Sequence, residues 1–263
     1  MKQQEDLYGL QRTCYSKSTK AGEQFIKEHG ISFIVSGEME AYDGNTKYLY
    51  RKGDVVLYRK NALIRFVKYP HQEEGFEAIS VILDENLLKT FAEHNEIISE
   101  THPKESLFKL EHDELIQAYF KGIQTWFGHS IQTELADIKK TEMIHLLLRN
   151  NSLYKEVLFN FETPGKINLE AFMNTNFRFN VPLSQFAFLT GRSLATFKRD
   201  FEKLFQTTPN KWLQQKRLEE AHYLLKNKKM KKVKDVYLEV GFETLSHFSY
   251  AFKNHFGVSP SQL

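Results

Sequence analysis

Between residues 30 and 83 the chain runs in short apolar stretches rich in Ile, Val, Tyr and Phe. They are cut by Ser36-Gly37, by Asp43-Gly44-Asn45 and by Gly53-Asp54. β-Branched and aromatic runs between such breaks predict strands. The Asp-Gly-Asn triplet between two of them predicts a hairpin, because these residues tolerate the positive φ of a tight turn. Further runs at 62–69 and 76–83 extend the series to a small sandwich or barrel. Beyond Leu83 the period lengthens. Residues 85–94, 113–127 and 134–159 carry apolar side chains three and four positions apart, as in Leu115, Tyr119, Ile123 and Phe127, and this spacing predicts helices. The last helix is expected to break near Asn150-Asn151-Ser152.

Glu162-Thr163-Pro164-Gly165-Lys166 reads as a linker, since Pro and Gly end the preceding helix and no apolar side chain holds the stretch in a core. Past Ile167 the pattern is helical. Ser184, Ser193, Thr208-Pro209 and Ser259-Pro260 mark helix starts, as side-chain oxygens that cap free N–H groups or as prolines suited to a first turn. The expected organisation is therefore residues 1–161 as one domain, with strands to about 83 and helices over about 85–160. Residues 162–168 form the linker and residues 169–263 a helical domain.

Within that helical part the chain repeats itself. GRSLATFKRDFEKLFQTTP at 191–209 matches GFETLSHFSYAFKNHFGVSP at 241–260. Phe197, Phe201, Phe205 and Pro209 each recur 51 residues later as Phe248, Phe252, Phe256 and Pro260. Steps of four place three rings on one inward stripe of a helix. Each copy follows a short amphipathic segment ending in Gly, LSQFAFLTG and VKDVYLEVG. A short helix, a Gly-containing turn and a longer second helix describe a helix-turn-helix, whose second helix lies in the DNA major groove. A helical-hairpin repeat that binds protein is the plainer alternative.

Charge favours DNA. The whole chain of 263 residues has a net charge of +3, but residues 164–263 hold 16 Lys and Arg against 8 Asp and Glu, and residues 1–163 hold 20 against 25. A basic third on a mildly acidic body suits a polyanionic partner met by the C-terminal part alone. Hydrophobic residues at 41% suffice for a sizeable core. The single Cys14 excludes an internal disulfide and offers no thiolate cluster for zinc. No apolar run approaches the roughly 18–20 residues that span a bilayer, and MKQQEDLYGL lacks the pattern of a signal peptide. The expectation is a cytoplasmic protein without membrane contact.

The residues from Leu183 onward resemble the DNA-binding domain of the AraC/XylS (arabinose-regulator) transcription factors. The resemblance rests on Thr196-Phe197-Lys198-Arg199-Asp200-Phe201, on Trp212-Leu213 with Lys216-Arg217-Leu218 and Ala221, and on the run from Val240-Gly241-Phe242-Glu243 through His247-Phe248-Ser249, Phe252-Lys253 and Phe256-Gly257 to Ser259-Pro260. Tyr250 departs from the family, where Arg is common, and the short closing helix is expected to be truncated or frayed. The resemblance implies two helix-turn-helix units joined by a rigid helix at about 210–226. Their reading helices would face adjacent major grooves roughly 34 Å apart.

Family-matched base-contact positions fall on Ala195, Lys198 and Arg199. Around them Arg192, Ser193 and Thr196 complete the expected DNA-facing surface of the first unit. Lys and Arg can donate to guanine O6 and N7, whereas Ala195 offers a methyl; for Arg199 the competing reading is a phosphate clamp or a salt bridge to Asp200 or Glu202. In the second unit the corresponding face is Leu245, Ser246, His247, Ser249, Tyr250 and Lys253, less cationic and expected to position more than to read. Six lysines among residues 226–234 could steer DNA or form a solvated loop. His222, on the connecting helix, is read as structural.

Ahead of this domain the short strands and helices resemble, more loosely, the cupin-like sensor and dimerisation domain of the same family, through Gly37 and Gly53-Asp54-Val55. The expected fold class is α+β: an N-terminal cupin-like β-barrel or sandwich with helices, then an all-α domain of two helix-turn-helix units joined by a connecting helix. Helices at about 113–127 and 134–159 would form a dimer seam, and the consecutive Leu146, Leu147 and Leu148 favour self-association. Tyr48, Tyr50, Arg51, Tyr58 and Arg65 could line an effector pocket, against the plainer reading of core and surface. The rival function is a cupin-type small-molecule-binding or metal-dependent enzyme with a protein-binding tail. Scattered histidines without an H-x-H pair, and no nucleophile constellation or phosphate loop, speak against catalysis, metal or cofactor. The chain reads as a sequence-specific DNA-binding regulator and homodimer, with room for a small-molecule or protein effector.

Overall fold

Strand β4 (His29–Ser36) is buried along nearly its whole length, which explains its almost unbroken apolar sequence. The computed structural model describes residues 2–16, 19–101, 103–227 and 232–263, with backbone alone at residues 2–3 and 19–24. The chain divides into two units, Met1–Glu162 and Thr163–Leu263.

The first unit carries two antiparallel sheets. One has the order β1 (Lys2–Leu7), β2 (Leu10–Tyr15), β9 (Phe76–Leu83), β4, β7 (Val55–Tyr58), β10 (Leu107–Lys109). The other has the order β3 (Thr19–Ile26), β8 (Ala62–Tyr69), β5 (Glu38–Tyr42), β6 (Lys47–Arg51). Neighbouring residues of the central strands serve two cores. Ile31, Phe33, Leu57, Ile79 and Val81 pack with the helices, whereas Ile34, Val56 and Ala78 pack with Met39, Tyr50, Ile64 and Phe66 of the second sheet. The expected hairpin joins β5 to β6, with the Asp43 carboxylate accepting from the Asn45 and Thr46 N–H groups and Gly44 at φ +104°.

Helices α1 (Glu85–His94), α2 (Glu114–Gln124), α3 (Thr133–Asn150) and α4 (Leu153–Leu158) follow. Asp84 and Asp113 cap the first two through side-chain oxygens, and α3 and α4 part at Asn151. Tyr119 and Ile123 are buried as their spacing predicts. Leu115 instead is 53% exposed, because the buried stripe of α2 runs through Ile116 and Phe120.

Strands β1, β2, β3 and β10 have no counterpart in the sequence reading. β1, β2 and β3 lie at or beside a sheet edge, where a strand needs little apolar side chain, and β10 has two buried apolar residues but is only three residues long, too short to show a period.

The second unit is helical: α5 (Leu169–Asn176), α6 (Leu183–Leu189), α7 (Leu194–Phe205), α8 (Pro209–Asn227), α9 (Val233–Glu239), α10 (Leu245–Phe256) and a closing 3-10 turn at Pro260–Gln262. Ser184 does not start α6. It lies inside the helix, and Pro182 occupies the capping position without a side-chain bond. Among the described residues no helix is long and apolar enough to cross a membrane.

Candidate nucleic-acid interface

The repeat becomes two copies of one local geometry. Helix α6 ends with Thr190, and the next residue, Gly191, takes φ +64°. The Gly191 N–H donates to Phe188 O at 3.0 Å and the Arg192 N–H to Ala187 O at 2.9 Å. Helix α9 ends in the same way: Gly241 at φ +93°, its N–H to Leu238 O at 3.2 Å, and the Phe242 N–H to Tyr237 O at 2.9 Å. This pair of bonds is the Schellman motif, which needs a left-handed residue after the helix and therefore favours Gly.

The following helices also start and stop alike. Ser193 Oγ accepts from the Thr196 N–H and Thr244 Oγ1 from the His247 N–H, each capping an orphan donor. Gln206 (φ 53°) and Gly257 (φ 76°) end α7 and α10 in the left-handed region.

The phenylalanine stripes hold both reading helices down. Phe197, Phe201, Phe248 and Phe252 are wholly buried. Trp212 of α8 lies 5.6 Å from Phe201 and 4.8 Å from Phe205, between ring centroids. Ten residues later on α8, His222 takes the corresponding place against Phe252 and Phe256. One connecting helix thus closes both cores.

With the Phe side packed, the opposite side of α7 is left to solvent. Ser193, Ala195, Lys198 and Arg199 are exposed and Thr196 is half-buried. The Arg199 side chain is 77% exposed, and its Nε lies 3.8 Å from Asp200, an exposed pair of small energetic weight. On α10, Leu245, Ser246, His247, Tyr250 and Lys253 are exposed and Ser249 is half-buried. The His247 ring leans on Phe242 at 5.5 Å. Residues 228–231 of the lysine run lie outside the described residues, while Lys226, Lys232 and Lys234 are exposed.

Arg192 departs from the expectation of a DNA-facing side chain. Only 8% of its side chain is exposed. Its Nε donates to Asp200 Oδ2 at 3.1 Å, and its Nη1 to Thr190 O at 2.6 Å and Ile167 O at 3.1 Å. Arg192 and Lys166 hold the Asp200 carboxyl below the usual carboxylate range. The guanidinium is turned inward because three acceptors converge under the turn. Arg217, which the spacing alone did not single out, makes a similar clasp: Nε donates to Phe177 O and Nη2 to Phe179 O, both at 2.8 Å.

In the first unit, one of the five side chains considered for an effector pocket lines a cavity between the sheets. Tyr58 faces a space of about 390 Å³, with Ser32, Ser80, Tyr15, Phe66 and Lys68 among its lining. Ser32 Oγ stands 2.6 Å from Ser80 Oγ and donates to Tyr58 OH at 3.2 Å. The other four lie elsewhere. Tyr50 is core, Tyr48 bonds Asp43, Arg51 pairs with Glu38 on the surface and Arg65 covers the Tyr42 ring. Tyr48 and Tyr50 belong to the same inter-sheet core as Tyr58 but do not line this cavity.

Two matched turns, two packed reading helices and an exposed, partly cationic outer face on each define a double helix-turn-helix DNA-binding protein. The chain belongs to the AraC/XylS family of transcriptional regulators and is a sequence-specific DNA-binding regulator. Residues 186–263 match a helix-turn-helix domain family and residues 29–158 match the ExsA N-terminal regulatory domain. The chain is 24% identical over 239 residues to the HTH-type transcriptional regulator ExsA of Pseudomonas aeruginosa, covering 90% of this chain and 86% of that protein. It is 32% identical over 130 residues to the virulence regulon transcriptional activator VirF of Yersinia enterocolitica, which is 49% of this chain and 48% of that one. A crystal structure of apo ToxT K231A from Vibrio cholerae aligns over 97% of this chain and 96% of that chain, with a TM-score of 0.47 and 14% identity.

Proposed function

We propose that α7 and α10 enter successive major grooves on one side of a duplex and that the two units divide the work. In α7, Lys198 and Arg199 donate to base edges and Ala195 offers its methyl to a thymine, with Ser193 and Thr196 on phosphates. In α10, Ser246, His247, Ser249, Tyr250 and Lys253 mainly fix register. The observation that carries this reading is that Lys198 and Arg199 project from a helix whose other side is pinned by wholly buried Phe197 and Phe201. Arg192 is left out of the contact set because its donors are engaged within the turn. Residues 1–161 are the sensing and dimerising part, 162–168 the linker and 169–263 the DNA-binding part. The protein works in the cytoplasm and catalyses no reaction.

The full chain should retard a duplex enriched from a random pool more strongly than scrambled duplex, with affinity falling steeply between 50 and 200 mM salt. Equal retardation of both duplexes at both salts would remove the sequence-reading role.

Dimerisation through α3 is favoured by Leu135 and Ile138, which are 44% and 61% exposed, rather than by Leu146 and Leu148, which pack against the core. The cavity beside Tyr58 is the place we assign to a small effector.

A further inference from the structure

The two clasped turns are touched by one and the same stretch of chain. A Cβ built on Gly191 would lie 2.4 Å from the Gly165 carbonyl carbon and 2.5 Å from the Lys166 nitrogen. A Cβ built on Gly241 would lie 2.3 Å from Arg178 O and 3.0 Å from Arg217 Nε. At the first contact Arg192 takes Ile167 O, and at the second Arg217 takes Phe177 O and Phe179 O. Between the contacts lies helix α5, capped by Asn168 and on the order of 12 Å long at 1.5 Å per residue. Phe172 of α5 packs on Phe186 of α6, with ring centroids 6.3 Å apart. Arg178 pairs with Glu220 of α8.

We propose that this strut, residues 165–179, sets the spacing and rotation of the two reading helices, with Arg192 and Arg217 as its positioning residues. Helix α8 alone joins the two helix-turn-helix units at one end of each and leaves twist about its axis weakly opposed. A second link, offset from α8 and tied to both turns, opposes that twist. Glycine at each turn lets backbone meet backbone, and each arginine locks the contact through planar donors to carbonyl oxygens. DNA demands such stiffness. One added base pair between two subsites moves the second by about 3.4 Å and turns it by about 34–36°.

The inference rests on the two-groove reading above. Its test uses the full chain and a duplex enriched by that chain from a random pool, compared with the same duplex carrying one extra base pair between the subsites. The wild-type chain should lose about tenfold or more in affinity on the lengthened duplex. Arg217→Met and Arg192→Met keep much of the aliphatic bulk and remove the donors; each should shrink that penalty to about threefold or less. Melting temperature and circular dichroism identify which variants are folded, and either folded variant decides the matter. An unchanged penalty, including one accompanied by a uniform loss of affinity on both duplexes, overturns the strut. Failure of the pool to enrich any sequence sinks the two-groove reading instead, and with it the strut.

Discussion

The ring of His222 lies 4.7 Å from that of Phe256, tilted by 30°, at the place in the second helix-turn-helix where Trp212 meets Phe205 in the first. The histidine is therefore an aromatic core element. His222→Ala should lower the stability of the second unit by about 1–2 kcal/mol, while His222→Phe should roughly preserve it. Urea unfolding of the full chain followed by far-ultraviolet circular dichroism, to which α9 and α10 contribute, checks this. Equal stability of the Ala variant and the parent would show that the ring contact carries no weight.

Arg199→Ala should reduce affinity for the enriched duplex by about 1–3 kcal/mol, roughly 5- to 150-fold, and affinity for unrelated duplex by much less. Titrations on both DNAs at one salt concentration separate base reading from phosphate clamping. A proportional loss on the two would reassign Arg199 to the backbone.

The left-handed positions should differ sharply in tolerance. Around Gly257 nothing lies within 4 Å of an added Cβ, so Gly257→Ala should cost only the backbone penalty of about 1–2 kcal/mol. Gly191→Ala adds a clash with the Gly165 backbone and should cost clearly more. Gln206 occupies the place of Gly257 in the first copy, at φ 53°, so Gln206→Gly should gain about 0.5–1 kcal/mol. Thermal melts of the three variants check the order.

His29 is 1% exposed, and its Nδ1 accepts from the Lys60 N–H. Burial, then the charges of Lys60 and Arg59, push its pKa down to about 3 from 6.5. The folded state keeps the ring neutral where the unfolded chain binds a proton. Stability should therefore fall as pH drops from about 6.5 towards about 3, by up to about 1.4 kcal/mol per pH unit. The Glu85 carboxylate, held to about 2 by bonds from Lys60 and Lys89, adds stability that is present above about 4.5 and lost as pH falls towards about 2. His29→Asn supplies an acceptor that does not titrate, and should flatten the unfolding free energy between pH 6.5 and 4.5. An identical slope in the variant would refute the assignment.

Ile138→Glu on α3 should shift the protein from dimer to monomer in sedimentation velocity, with a dissociation constant raised at least about tenfold. Unchanged sedimentation of the variant would place the dimer seam elsewhere.

By itself the sequence determined what local physics demands. The 51-residue offset of the Phe stripes, the two turn glycines, the cap at Ser193 and the first-turn Pro209 are periodic or adjacent requirements of single helices and turns, so the paired helix-turn-helix was legible. The Asp-Gly-Asn hairpin and the break at Asn150–Ser152 were legible for the same reason. Only the tertiary structure decided that Arg192 turns inward, that Tyr58 alone of the five candidates lines the cavity, and that polar stretches near the start become edge strands. It also decided that residues 165–179 touch both turns. Arg217 reaches carbonyls about forty positions away in the chain. Bonds to backbone oxygens place no demand on the identity of the accepting residue, so such a contact leaves no periodicity to read.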